Sequence, residues 1–149
     1  MVTTLATPDI AGYTFDRSPD LTDPKVREQL SASAIKAFIK IAGQWKLTEP
    51  QARGLLGGIA SSTFHAWKTK PDDQKLTQDT LMRISLVIGI YKALHILYPD
   101  AALADRWVKL PNANAMFGGQ PALSFMVDGG IDALHQVRRL VDARRGGVN

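Results

Sequence analysis

Residues 47–70 read LTEPQARGLLGGIASSTFHAWKTK, and this stretch decides the fold. Thr48 stands where it can cap a helix, Pro50 occupies a first turn that needs no N–H, and Ala52, Leu55 and Leu56 supply one apolar face. Gly57 and Gly58 then turn the chain, and Ile59 plugs the space beneath the turn. Ser61 or Ser62 caps a second short helix whose Phe64 and Trp67, three apart, point inward. The pattern is a helix-turn-helix. Its outward side chains are Ser62, Thr63, His65, Lys68 and Lys70, which suit phosphate oxygens and base edges in a major groove. A hairpin that only builds core would share the apolar spacing, so the outward polar set is what points to DNA. No arginine stands among these residues, so the forked contact to guanine is missing.

Charge agrees with that reading. The chain of 149 residues carries a net +4, unevenly spread: residues 1–24 hold one Arg against four Asp, and residues 25–75 hold nine Lys or Arg against four acids. The basic excess surrounds the helix-turn-helix, as phosphate contact through counterion release requires. A solvated helix surface gives similar counts. Cysteine is absent, which excludes disulfides and thiolate metal sites. The first residues, MVTTLATPDIAG, lack the basic start and apolar run of a signal peptide, so a cytoplasmic protein is expected.

Working outward, residues 1–23 are rich in Thr, Pro and Asp without periodicity and are expected to form a mobile arm. Asp23 and Pro24 open a helix through VREQLSASAIKAFIKIAGQW, with Leu30, Ala34, Ile35, Phe38, Ile39 and Ala42 at helical spacing and an end near Gly43. Beyond the helix-turn-helix, Thr77 precedes a long helix over 80–98 that is apolar nearly all round. Such a helix must be covered on more than one side. The second cover is either another copy of the chain, which would make Leu86, Ile90, Leu94 and Leu97 a homodimer face, or the C-terminal segment. The run LVIGIYKALHILY over 86–98 is too short to span a bilayer and is interrupted by Lys92 and His95, so no membrane association is expected.

Pro99 ends the long helix, and a shorter one follows over 100–110 with Leu103, Trp107 and Leu110 inward. The stretch PNANAMFGGQPALSFMVDGG is loop-rich, with a short helix over 121–127 stopped at Gly129. A last helix over 131–145 turns Ile131, Leu134, Val137 and Val141 inward, with Asp142 one turn from Arg138 and Arg145. No strand pattern is present, and the chain is predicted to be all-α: a helix-turn-helix domain over 24–99, then a small helical domain over 100–149.

Catalytic signatures are missing. His65, His95 and His135 fall in three different helices without metal-ligand spacing, so no metal is expected. None of the glycine pairs is followed by the Lys-Ser or Lys-Thr of a phosphate loop, and no cofactor is expected. Serines appear without a nucleophile elbow. A binding protein is favoured over an enzyme.

The order of a helix-turn-helix containing LLGG and STFHAWK, a long apolar helix, a Trp107 helix and then LPNANAMFGGQPALSFMVDGGIDALHQVRRLV resembles the Xre/MbcA/ParS family of antitoxins. The resemblance spans roughly residues 30–146 and is most specific in the Asn-rich loop into Gly118, Gly119, Gln120 and Pro121, and in the helix ending at Gly129 and Gly130. It implies a toxin partner of the RES type, which consumes NAD or uses it to modify a target. It also implies that the C-terminal domain binds that toxin and lays its end over the NAD pocket, and that the helix-turn-helix binds operator DNA. Arg138, Arg139, Arg144 and Arg145 with the tail Gly146, Gly147, Val148 and Asn149 suit that occlusion. A solvated helix end in which arginines only complement the dipole accounts for the same residues. A stand-alone helix-turn-helix regulator and a small nucleotide-processing enzyme are the competing readings.

Overall fold

The computed structural model describes residues 20–146. Most of the predicted arm (residues 1–19) and the tail residues Gly147, Val148 and Asn149 lie outside the described residues. Six α-helices follow one another: α1 Pro24–Gln44, α2 Glu49–Leu55, α3 Ser61–Thr69, α4 Gln78–Leu97, α5 Ala101–Arg106 and α6 Ala122–Arg145. Short 3₁₀ turns at Pro71–Asp73, Trp107–Lys109 and Ala115–Phe117 join them. Among the described residues there is no strand, only an isolated antiparallel bridge between Pro111 and Pro121. The chain is all-α.

Local chemistry sets the helix starts. Asp23 Oδ1 accepts from the Lys25 N–H at 2.9 Å, and Thr77 Oγ1 accepts from the Thr80 N–H at 3.2 Å. Thr48 forms a full capping box with Gln51, satisfying two N–H groups that would otherwise be orphaned. The second helix of the motif departs from expectation: its cap is Ala60, which has no side-chain acceptor, and Ser61, the first residue inside the helix, donates its hydroxyl to Glu49 Oε2 at 2.8 Å.

The core is organised around α4. Ile84, Val87, Ile88, Ile90, Ala93 and Leu94 have no solvent exposure, because α1 packs along one side of α4 and α6 along another. Each Ile, Val or Leu among them contributes about 1.5–3 kcal/mol on burial. This corrects the proposed dimer face. Ile90 and Leu94 are fully covered within the protomer and Leu86 is 8% exposed, so only the half-buried Leu97 retains free surface. Of the two covers considered for this helix, the C-terminal segment is the one used. Helix α4 is also, at 20 residues, long and apolar enough by length and composition to cross a membrane, unlike the shorter run considered in the sequence, yet more than half of it is buried inside the protein. That is the pattern of a core helix.

Ser31, the buried polar side chain of α1, donates to the Arg27 carbonyl at 2.7 Å and accepts from the Leu76 N–H at 3.0 Å, tying the entry of α4 to α1. A further correction falls in the C-terminal half. Leu110, expected inward, is 41% exposed, and Ala104 and Val108 fill the core beside Trp107 instead. The two helices expected on either side of Gly129 are both present, and the chain kinks between them at Gly130, whose φ of 67° and ψ of −152° suit glycine alone.

Candidate functional site

Two surfaces carry candidate function. The first is built by α2, α3 and the turn between them. Gly57 and Gly58 adopt φ of 86° and 81°, the left-handed conformation that lets the chain reverse, and the Gly58 N–H closes the turn on the Arg53 carbonyl at 2.8 Å. Arg53 braces the far side, its Nε donating to the Ile59 carbonyl at 2.7 Å and its Nη1 lying 3.6 Å from Glu49 Oε2. With Ser61 on the same carboxylate oxygen, Glu49 joins the beginnings of the two helices. The sequence reading missed this role, although Glu49 and Arg53 at i,i+4 carried the signal.

Helix α3 then presents a divided surface. Phe64 and Trp67 are each 3% exposed and anchor it, whereas Ser62, Thr63, His65, Lys68 and Lys70 are all exposed. Thus the five residues singled out for DNA lie together on the outer side, with Lys70 one step beyond the helix end. Lys68 Nζ rests 4.7 Å from the centroid of the Phe64 ring, which holds the ammonium near the surface of the helix.

The second surface is C-terminal. The loop over 110–121 is closed by the Pro111–Pro121 bridge and shaped by two asparagines: Asn112 Oδ1 accepts from the Asn114 N–H at 3.0 Å, and Asn114 Oδ1 from the Met116 N–H at 2.9 Å. Gly118 and Gly119, both at positive φ, carry the chain to α6. Phe117 anchors the loop edge-on between Trp107, at a centroid distance of 6.3 Å, and Phe125, at 5.3 Å.

The four arginines of α6 separate into two kinds. Arg138 donates through Nε to Asp142 Oδ2 at 2.7 Å, and its guanidinium lies over Gly89 of α4. It therefore braces α6 against α4, with about a third of its side chain still exposed. Arg139 and Arg145 are exposed, Arg144 is half-buried, and the three form no ion pair among the described residues. Gly146 is exposed at the helix end.

The histidines also separate. His65 is exposed on α3 and His135 half-buried on α6, but His95 Nε2 meets Asp105 Oδ1 at 2.7 Å. That pair links α4 to α5 across the break at Pro99, a relation that no helical periodicity announces.

The halves of the chain match known family models. Residues 24–89 match the antitoxin Xre-like helix-turn-helix domain, and residues 93–147 match the antitoxin Xre/MbcA/ParS C-terminal toxin-binding domain. A protein of Sinorhizobium fredii (strain NBRC 101917 / NGR234), named "Uncharacterized protein y4oB", is 38% identical over 113 residues, covering 76% of this chain and 84% of that protein.

Proposed function

Because the chain belongs to the Xre/MbcA/ParS antitoxin family, we propose that it neutralises a RES-type, NAD-consuming toxin by laying the end of α6 over the toxin's NAD pocket. The observation that carries this reading is the set of exposed Arg139 and Arg145 and half-buried Arg144 toward the end of α6, inside the part of the chain matched to toxin binding. Guanidinium groups there can meet acidic or polar groups that otherwise receive a dinucleotide.

The same protein represses its own operon through α3, with Ser62, Thr63, His65, Lys68 and Lys70 at the DNA. Two copies on a near-palindromic operator are the arrangement that the docking geometry of the motif calls for. Their mutual contact uses surfaces other than Ile90 and Leu94, which the protomer core consumes.

The test is cellular NAD in bacteria induced for the toxin encoded beside this chain, with and without the chain co-expressed. NAD should collapse with the toxin alone and recover with the pair. NAD that stays unchanged in both cultures would remove the NAD-consuming partner and leave a stand-alone DNA-binding regulator.

A further inference from the structure

Two glycines in succession leave a backbone more conformational freedom than any other pair, yet the angle between α2 and α3 depends on Gly57 and Gly58 keeping φ of 86° and 81°. Neither has a side chain with which to hold the turn. Arg53 braces the side nearer α3 at the Ile59 carbonyl, but Arg53 belongs to α2 and moves with it. A brace that ties the turn to the rest of the molecule has to come from another element.

Arg83 of α4 supplies it. A Cβ built on Gly57 would fall 3.2 Å from Arg83 Cζ, 3.3 Å from Nε and 3.5 Å from Nη2, so the guanidinium takes the room that a side chain at Gly57 would need. Asp79, one turn earlier on α4, accepts from Arg83 Nε at 2.9 Å and sets the direction of the group. The Arg83 side chain is 14% exposed. Because α4 packs against both α1 and α6, this contact joins the turn to the centre of the fold. Helix α3 starts at Ser61, three positions beyond Gly58.

We propose that Arg83 is a positioning residue for sequence recognition: acting through Gly57, it sets the angle at which α3 enters the major groove, and it does not itself touch DNA. This rests on the DNA-binding reading of α3. Contacts from Ser62, Thr63 and His65 to base edges need that angle, because they are short and directional. A phosphate contact from Lys68 tolerates a tilt, since a point charge on a flexible stem can follow its partner. Loss of the brace therefore removes discrimination between sequences and leaves general affinity for a duplex.

The experiment measures binding of the full chain to a duplex of the promoter upstream of its own gene, and to a scrambled duplex of equal length, over a series of salt concentrations. Arg83→Met keeps the packed stem and removes the guanidinium; it should weaken promoter binding roughly tenfold, the scale of one spoiled base contact. Asp79→Asn, at an exposed position that leaves the fold alone, should act in the same direction and less strongly. Affinity for the scrambled duplex and its salt slope should not change. In hydrogen exchange the amides of residues 57–61 should open faster in Arg83→Met while those of α1 and α6 keep their protection, which a general loss of stability would not spare. Equal losses on both duplexes, with a slope reduced by about 1, would make Arg83 a phosphate contact and overturn the positioning role. Promoter affinity unchanged in both variants overturns the proposal and leaves the DNA reading standing, whereas a natural chain with no preference for the promoter duplex removes both.

Discussion

The guanidinium of Arg138 lies across Gly89, in the space a side chain at that position would need: a Cβ built there falls 2.8 Å from Arg138 Nε and closer still to the end of the group. Helix α6 thus reaches α4 at the point where α4 has no side chain. The same guanidinium is held by Asp142. Gly89→Ala should displace it and dissolve that pair, while the gain in helix propensity of up to about 1 kcal/mol offsets part of the loss. Arg138→Ala should consequently cost less in the Gly89→Ala background than in the natural chain, with a coupling of roughly 1 kcal/mol in a double-mutant cycle read by urea unfolding. Additive changes would show that the two residues act independently.

Gly54 in α2 and Val127 in α6 make a second close approach, for a Cβ at Gly54 would come 2.8 Å from Val127 Cγ1. A β-branched side chain gives way poorly. Gly54→Ala should lower stability by about 1 kcal/mol, overpacking outweighing the helix gain, and Val127→Ala added to it should recover part of the loss. A stabilised Gly54→Ala variant would mean that the helix-turn-helix does not bear on α6 at this point.

Lys68→Ala should weaken operator binding and reduce the slope of log affinity against log salt by about 1, as expected for one lost phosphate contact. Its ring partner Phe64 is buried by other packing, so the melting temperature should hardly move. An unchanged slope in a salt titration would take Lys68 out of the interface.

Arg144→Ala with Arg145→Ala should separate docking from inhibition. The complex with the toxin should still form in a pull-down, while NAD loss resumes in cells, because only the occluding end has been altered. Full protection by this variant would sink the occlusion mechanism.

Tyr91 predicts an alkaline limit. Burial first, and the Asp105 carboxylate second, raise its phenol above the ordinary value of 10.0, with the hydrogen bond to Gln44 opposing them. The folded state thus favours the neutral phenol, and this contribution is complete below the unfolded value. As pH rises past about 10 the unfolded chain ionises first, and stability should fall until the folded phenol also ionises. Tyr91→Phe should flatten that decline in chemical unfolding measured across the alkaline range.

Much of this molecule is legible from local chemistry. Thr48, Asp23 and Thr77 act as the caps their positions suggest, because a cap needs only a short polar side chain next to a helix start. Phe64 and Trp67 turn inward and leave the polar face of α3 in solvent, because three-residue spacing fixes their common side. Where the sequence reading missed, a longer-range contact decided. Ser61 falls one position inside its helix, where its hydroxyl meets the carboxylate of Glu49, twelve positions earlier. His95 and Asp105 meet only because the chain reverses at Pro99, and no period of 3.6 residues connects them.

By itself the sequence determined an all-α chain, the helix-turn-helix and its outward residues, since periodicity, caps and glycine turns act within a few positions of one another. Only the tertiary structure decided what covers α4, and therefore that Ile90 and Leu94 belong to the protomer's own core and not to a dimer face. It also decided that Arg138 packs over Gly89 of α4 while Arg139 and Arg145 stand exposed. Apolar spacing states that a face must be buried but not against what, and the partner is chosen by packing between segments far apart in the chain.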